Sequence, residues 1–176
     1  ILFPSVFFQK IDRYGWLSYE SLPEQPLAGW DLIEAGVSGA ALGAEIPVIF
    51  GDMSYSPDSP STFSYSSSVT DPIRYLVPID LLGSAFFMLS RYEEVVITER
   101  DDHDRFPATA SLAYRENFLD RPIINEYVEI LWTCMKQLWP QLERKNRQAE
   151  TVVSCDVDRP YSPGIKNFRQ QLRQIG

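Results

Sequence analysis

The pattern of apolar and polar positions predicts two long helices. Residues 81–94 form a nearly continuous helix-compatible run, apolar in its first half and polar at its end, and Asp80 directly precedes it. We expect Asp80 to cap a helix that begins buried and ends exposed. A second helix is expected to begin at Pro122 and to end at Trp139, before Pro140. Its apolar residues recur at i, i+4, i+7 and i+8, which indicates a helix with one face on the core.

The first fifty residues predict short strands, because apolar runs alternate there with Gly and Pro. We assign strands to residues 6–8, 15–17 and 46–50. Pro47 favours an edge strand or a strand start in the last of these, since proline has no N–H for a ladder bond. Residues 54–68, with eight serines and two prolines, predict a surface loop. The N-terminal part is therefore expected to be an α/β domain with a mixed sheet and two main helices.

The C-terminal part predicts the start of a second domain. Residues 141–150 are polar and charged, as is typical of a domain boundary. A β-branched run at 151–155 then predicts a strand, and 163–173 predicts a short helix. We therefore divide the chain into an N-terminal domain over 1–148 and the first part of another domain over 149–176.

Composition and charge narrow the classes of function. Sixteen Lys and Arg residues against twenty-four Asp and Glu residues give a net charge of −8, which counts against nucleic-acid binding. No apolar run reaches the roughly 18–20 residues that span a bilayer. Cys134 and Cys155 have no metal-ligand spacing, and two isolated thiols favour a reducing compartment such as the cytoplasm. Because the sequence begins with Ile1 and has no signal-peptide pattern, we expect the natural protein to extend beyond it.

Two carboxylates directly after the predicted strand at 151–155 are the best candidates for chemistry. Asp156 and Asp158 are two residues apart, so in an extended segment both side chains point the same way. Such a pair suits one metal ligand beside one general base. The alternative is a pair of turn-forming aspartates before Pro160, one of them capping the next helix.

The other candidate sites are weaker indications of function. The sequence Asp101-Asp102-His103-Asp104 holds the single histidine, lacks the Gly and Glu of a calcium loop, and is expected to be a solvated turn within a charged loop over 99–105. Cys155 is expected to pack inertly in the core. The glycines between 36 and 43 match no phosphate-binding motif.

Several blocks of the sequence resemble the uncharacterised N-terminal domain of certain polysaccharide deacetylase proteins. These blocks are IPVIFG at 46–51, DLLGSAFFMLSRYEE at 80–94, DRFPA at 104–108 and FLDRPIINEY at 118–127. In those proteins the domain precedes a NodB-homology catalytic domain (carbohydrate esterase family 4) that opens with the motif T-H-D-V-D-x-P. Residues 154–160, SCDVDRP, resemble that opening, with Cys155 where the family has His.

The resemblance implies a metal-dependent deacetylase that acts on the N-acetyl groups of an amino-sugar polymer. Asp156 would be the general base, and Asp158 would be a ligand of zinc or a similar divalent ion. Residues 149–176 would be the first strand and helix of a truncated (β/α) barrel. The family's other ligands are two histidines in a later H-x-x-x-H motif, which this sequence lacks. We therefore expect this chain alone to hold no metal and to be inactive.

Two other functions remain open at this stage. The aromatic-rich N-terminal third could instead bind a protein or a glycan without catalysis, with Trp16 and Trp30 stacking on sugars. A nuclease-like metal site is the other alternative, although the net charge of −8 counts against it. The strand at 151–155 would lack its barrel neighbours in this chain, so self-association through its edge is also expected.

Overall fold

The computed structural model describes residues 1–33, 35–37, 43–53, 77–145, 148 and 150–156. It divides into two compact units, Ile1–Leu142 and Glu143–Gly176. The predicted loop at 54–68, the predicted helix at 163–173 and Asp158 lie outside the described residues. The assignment of domains to 1–148 and 149–176 stays a prediction.

The described part of the first unit combines five α-helices with one two-stranded antiparallel sheet. The helices are α1 (Val6–Tyr14), α2 (Leu81–Leu89), α3 (Tyr92–Val96), α4 (Leu112–Arg115) and α5 (Ile123–Leu138). The strands are β1 (Ala28–Asp31) and β2 (Glu45–Val48), and short 3₁₀ turns lie at Tyr19–Ser21 and Ala108–Ala110. In the sheet, Gly29 lies opposite Pro47 and Trp30 lies opposite Ile46. Among the described residues, no helix combines the length and apolar character that crossing a membrane requires.

The two predicted helices are present, and one of them is divided. Helix α5 occupies nearly the whole predicted span, with Ile130 and Cys134 buried on its inner face. Asp80 caps α2 as expected, but α2 ends at Leu89 and a separate helix, α3, follows. The break lies at Arg91, whose φ of 54° places it in the left-handed region that a continuous helix excludes.

Two of the predicted N-terminal strands are wrong. Residues 6–8 lie in α1, where Phe7 is buried and Ile11, one helical turn later, packs against the same core. Residues 15–17 form a turn, with Gly15 at φ 92° and Leu17 at φ 64°. The strand predicted at 46–50 is confirmed in its first part as β2, and in a two-stranded sheet Pro47 does lie on an edge strand.

The strand predicted at 151–155 is also wrong for this structure, since residues 150–156 have no regular secondary structure and are exposed. Val152 and Val153 are 80% and 90% exposed. A strand needs a neighbour for its backbone N–H and C=O groups, and the described residues provide none for this segment. The truncated barrel stays a prediction.

The Asp80 carboxylate joins two helices of the core. One oxygen accepts a hydrogen bond from the Gly83 N–H at 2.9 Å, in the first turn of α2, and the other accepts one from the Phe7 N–H at 2.9 Å, in the first turn of α1. Asp80 is 1% exposed, so no water replaces these contacts. A Cβ atom at position 83 would lie 2.4 Å from Asp80 Oδ2 and 2.6 Å from Phe7 Cβ. Glycine therefore allows the carboxylate to reach both helices.

Aromatic rings surround Phe7 where the two helices meet. Its ring centroid lies 5.0 Å from that of Phe50 and 5.2 Å from that of Tyr92. Phe50 is tied to the same point by its backbone, because its carbonyl accepts from the Asp80 N–H at 2.8 Å. Its own N–H donates to the Ser84 hydroxyl at 3.2 Å. The chain that follows β2 is thereby fixed against α2.

We expect Asp80→Ala to lower the free energy of unfolding by about 3 kcal/mol, because it removes the cap of two helices and leaves buried N–H groups without acceptors. Urea unfolding monitored by circular dichroism measures this difference. Asp102→Ala, in an exposed loop, is the matched control and should stay within about 0.5 kcal/mol of the wild type. Equal effects of the two substitutions would contradict the role given to Asp80.

A second buried carboxylate, that of Glu93 in α3, accepts a hydrogen bond from the Leu112 N–H at 2.8 Å and so holds the start of α4. Burial raises the pKa of Glu93 above its ordinary value of 4.5, and the Leu112 hydrogen bond and the charge of Arg115 act in the opposite direction. The folded protein therefore holds a proton on Glu93 at a pH where the unfolded chain has released it. The stability that this group contributes is full below pH 4.5 and is lost as the pH rises through the raised pKa.

Glu93→Gln should remove this pH dependence, because glutamine has no proton to release and keeps an acceptor for the Leu112 N–H. Relative to the wild type, the variant should become progressively more stable as the pH rises above 4.5 and through the raised pKa of Glu93. Urea unfolding at several pH values measures the difference, with the exposed Glu99→Gln as control. A difference that does not change with pH would show that Glu93 titrates alike in both states.

Candidate functional site

The structure places the predicted catalytic residue outside the first compact unit. Asp156 lies in the exposed segment 150–156, and Asp158 lies beyond the described residues. Cys155 is exposed, so the expectation that it packs in the core is wrong. In the described ranges, no three His, Cys, Asp or Glu side chains are grouped so that they could hold a metal ion. The roles given to Asp156 and Asp158 stay predictions.

The acidic loop around His103 is built as a turn. One oxygen of Asp101 accepts from the His103 N–H and the Arg105 N–H, each at 2.9 Å. The other oxygen pairs with the Arg105 guanidinium at 2.9 Å. These hydrogen bonds, above all the one from the Arg105 backbone, lower the pKa of Asp101. The Asp101 carboxylate therefore stabilises the turn of its own loop.

Only one of the two tryptophans proposed to stack on sugars is accessible. Trp30 is 4% exposed in β1, so its stacking role is wrong. Trp16 is 55% exposed, and its ring contacts the edges of Phe86 and Tyr92 at centroid distances of 6.0 Å and 5.6 Å. The Tyr92 hydroxyl accepts a hydrogen bond from the Leu17 N–H at 2.9 Å, which fixes the turn that carries Trp16. We call the surface formed by Phe8, Trp16 and Phe86 the aromatic face.

A polar groove, open to solvent and about 210 Å³ in volume, lies beside the sheet. We define the groove by the residues that line it: Leu27, Ala28, Gly29, Glu45, Pro47, Glu116, Asn117, Phe118 and Arg121. These residues come from the two strands and from the connection between α4 and α5. The groove is therefore a product of tertiary packing, and no local motif in the sequence indicates it.

One wall of the groove is fixed by Arg121. Its Nη2 lies 2.6 Å from Glu126 Oε2 and its Nε lies 3.2 Å from Glu126 Oε1, a two-point ion pair. Nη2 also donates to the Glu45 carbonyl at 3.1 Å, on the outer edge of β2. The hydrogen bonds that Arg121 donates to the Glu126 carboxylate, which is only 6% exposed, raise the pKa of Arg121 further. The guanidinium is held in one orientation as a result.

The opposite wall is fixed by Glu116. Its Oε2 accepts a hydrogen bond from the Leu27 N–H at 2.9 Å, and this bond links the end of α4 to the residue before β1. Asn117 follows with a φ of 56°, a left-handed conformation that asparagine tolerates better than most residues. Phe118, 2% exposed, anchors this connection in the core.

The floor of the groove depends on Gly29. A Cβ atom at this position would lie 1.4 Å from Glu45 Oε1. Because glycine has no side chain, the Glu45 side chain has room to lie across the sheet at this point. Pro47, its partner in the register, adds a flat apolar surface. The sequence analysis does not predict this site. The Arg121–Glu126 ion pair is a recognisable local pair, but it does not indicate the groove.

The outer edge of β2 is closed by a buried tyrosine. The Tyr127 hydroxyl donates to the Pro47 carbonyl at 2.6 Å and accepts from the Ile49 N–H at 3.2 Å. Tyr127 is 2% exposed, and burial raises the pKa of its hydroxyl. Together with Arg121, it takes the place that a third strand would occupy.

Tyr127→Phe should lower the free energy of unfolding by about 2 kcal/mol, because it leaves a partly buried carbonyl and a buried N–H without their partner. Thermal and urea unfolding measure the loss. Tyr114→Phe, at a site that is 53% exposed, is the matched control and should change stability little. A loss below about 0.5 kcal/mol for Tyr127→Phe would mean that water replaces the hydroxyl at this edge.

Comparison with known proteins gives one match. Residues 9–140 match the model of a family of unknown function, DUF7033. Neither the curated proteins nor the solved structures give a match. The matched region lies within the first compact unit, Ile1–Leu142, and it contains the groove and most of the aromatic face. Asp156 and Asp158 fall outside it.

Proposed function

The chain belongs to the DUF7033 family, and we propose that its first compact unit is the accessory domain of a metal-dependent deacetylase. This enzyme removes N-acetyl groups from an amino-sugar polymer. Its catalytic domain begins in the segment that follows the compact unit, where Asp156 is the general base and Asp158 is a metal ligand.

The observation that carries this proposal is the position of residues 154–160 relative to the folded unit. The family match ends at residue 140, and the compact unit ends at Leu142. The sequence that resembles the start of a deacetylase catalytic domain begins at residue 154, twelve residues after Leu142. An exposed β-branched segment immediately precedes the two aspartates. This order is the one expected of an accessory domain followed by a catalytic domain.

The residues of this chain do not by themselves fit a metal site. Catalytic zinc is normally held by three protein ligands, and the resemblance provides one, Asp158. His103 belongs to the other compact unit, and its loop is organised by Asp101. What this chain contributes is a carboxylate, Asp156, that is exposed and able to accept a proton from water. The histidine ligands are assigned to the part of the protein that follows, and the isolated chain is inactive.

A non-catalytic binding domain is the second candidate, and the aromatic face favours it. Phe8 and Trp16 are 42% and 55% exposed on neighbouring elements, and exposed aromatic clusters commonly mark binding surfaces. Self-association is a further proposal: the exposed segment around Val152 and Val153 has the β-branched composition of an edge strand that pairs with a second copy.

The deacetylase proposal predicts that the reading frame continues beyond Gly176 into an H-x-x-x-H motif. The longer protein should release acetate from N-acetylated amino-sugar oligomers, and Asp156→Asn should reduce that rate by about 10²-fold or more, the contribution of a general base. Asp102→Asn is the control and should leave the rate unchanged. A continuation without paired histidines, or full activity of Asp156→Asn, would overturn the deacetylase assignment and favour the binding domain.

A further inference from the structure

The groove beside the sheet has the size and shape for a single ring of a polymer. Its volume of about 210 Å³ is below the roughly 300–1,000 Å³ of pockets for drug-sized ligands, and it is open to solvent. A ring can therefore enter the groove directly from solvent. Pro47 gives the floor a flat apolar surface, and the Glu45 side chain lies across Gly29 beside it.

The walls offer both hydrogen-bond donors and acceptors. Arg121 uses Nε and Nη2 for Glu126 and Glu45, and its Nη1 has no hydrogen-bond partner among the described residues. Glu116 uses one oxygen for the Leu27 N–H, which leaves the other for a ligand. The exposed amide of Asn117 adds a donor and an acceptor. Such a mixed set suits a ring that carries several hydroxyl groups.

The charges of the lining select against an anion. Arg121 is neutralised by its two-point pair with Glu126. Glu45 and Glu116 then remain as two carboxylates, because the Leu27 N–H that holds Glu116 carries no charge. A ligand with a carboxylate or a phosphate would meet uncompensated negative charge, whereas a primary ammonium group would be complementary.

We infer that the groove binds one ring of an amino sugar whose amino group is free. The ring packs on Pro47. Its hydroxyls exchange hydrogen bonds with Arg121 and Asn117, and its ammonium group pairs with the carboxylates of Glu116 and of Glu45, which lies across Gly29. The identity of the polymer rests on the proposed function. The accessory domain therefore binds the product of the deacetylase, in preference to the acetylated substrate.

The test is a calorimetric titration of the 176-residue chain with three tetrasaccharides: β-1,4-linked glucosamine, its N-acetylated form, and an acidic uronate oligomer. We expect the free-amine tetramer to bind about tenfold more tightly than the acetylated one, and the uronate tetramer to show no binding. Glu45→Gln should weaken the binding of the free amine about fivefold or more, because it removes one carboxylate from an exposed position without affecting the fold. Asp102→Asn removes the same charge outside the groove and should have no effect.

Gly29→Ala is a second variant that tests the same site by shape, since the new Cβ displaces the Glu45 carboxyl group, and it should weaken binding similarly. Equal binding of the acetylated and free-amine tetramers, or full affinity in both variants, would overturn the inference.

Acetate release by the longer protein separates this inference from the proposed function. Free-amine binding without acetate release would leave the groove as a binding site and refute the deacetylase. Acetate release without free-amine binding would support the deacetylase and would refute the groove as a binding site.

Discussion

The described fold depends on one buried carboxylate, that of Asp80, which binds the first turns of two helices and reaches Phe7, 73 positions earlier in the chain. Asp80 accepts the N–H of Phe7 and the N–H of Gly83, so the first turns of α1 and α2 are held at one point. Because a buried carboxylate needs partners for its oxygens, this geometry is costly to change. Gly83 has to lack a side chain, and Phe7 is positioned among the aromatic rings.

This constraint extends to the sheet and to the groove. The Asp80 N–H binds the Phe50 carbonyl, which fixes the end of the chain that leaves β2. Helix α5 then reaches the outer edge of β2 through the Tyr127 hydroxyl, and Arg121 reaches it just before the helix begins. A two-stranded ribbon normally leaves its edges open to other strands. Here side chains close one edge, and the groove is the space that remains between them and the connection from α4.

Sequence patterns predicted the parts of the fold that depend on local order. Helix α5 is long enough for its apolar period to be unambiguous, and Asp80 is a favoured N-cap residue. Helix α1 was predicted as a strand because its three apolar residues at 6–8 are consecutive, and its helical spacing appears only when Phe7 is related to Ile11. The break at Arg91 was missed because nothing in the local sequence requires a left-handed residue there. The groove was beyond such patterns, since Glu45 and Arg121 are brought together only by the folding of the whole unit.

The proposed chemistry and the proposed binding site are linked by charge. Each acetyl group that a deacetylase removes replaces a neutral amide with a basic amino group that can take up a proton, so the polymer becomes more cationic as the reaction proceeds. The chain carries a net charge of −8, and the groove presents Glu45 and Glu116. Under the proposed function, attraction between polymer and accessory domain would grow with the number of rings already deacetylated and would weaken with added salt. A domain of this kind would keep the enzyme on the strand that it is modifying, and it would do so without contributing a residue to the reaction.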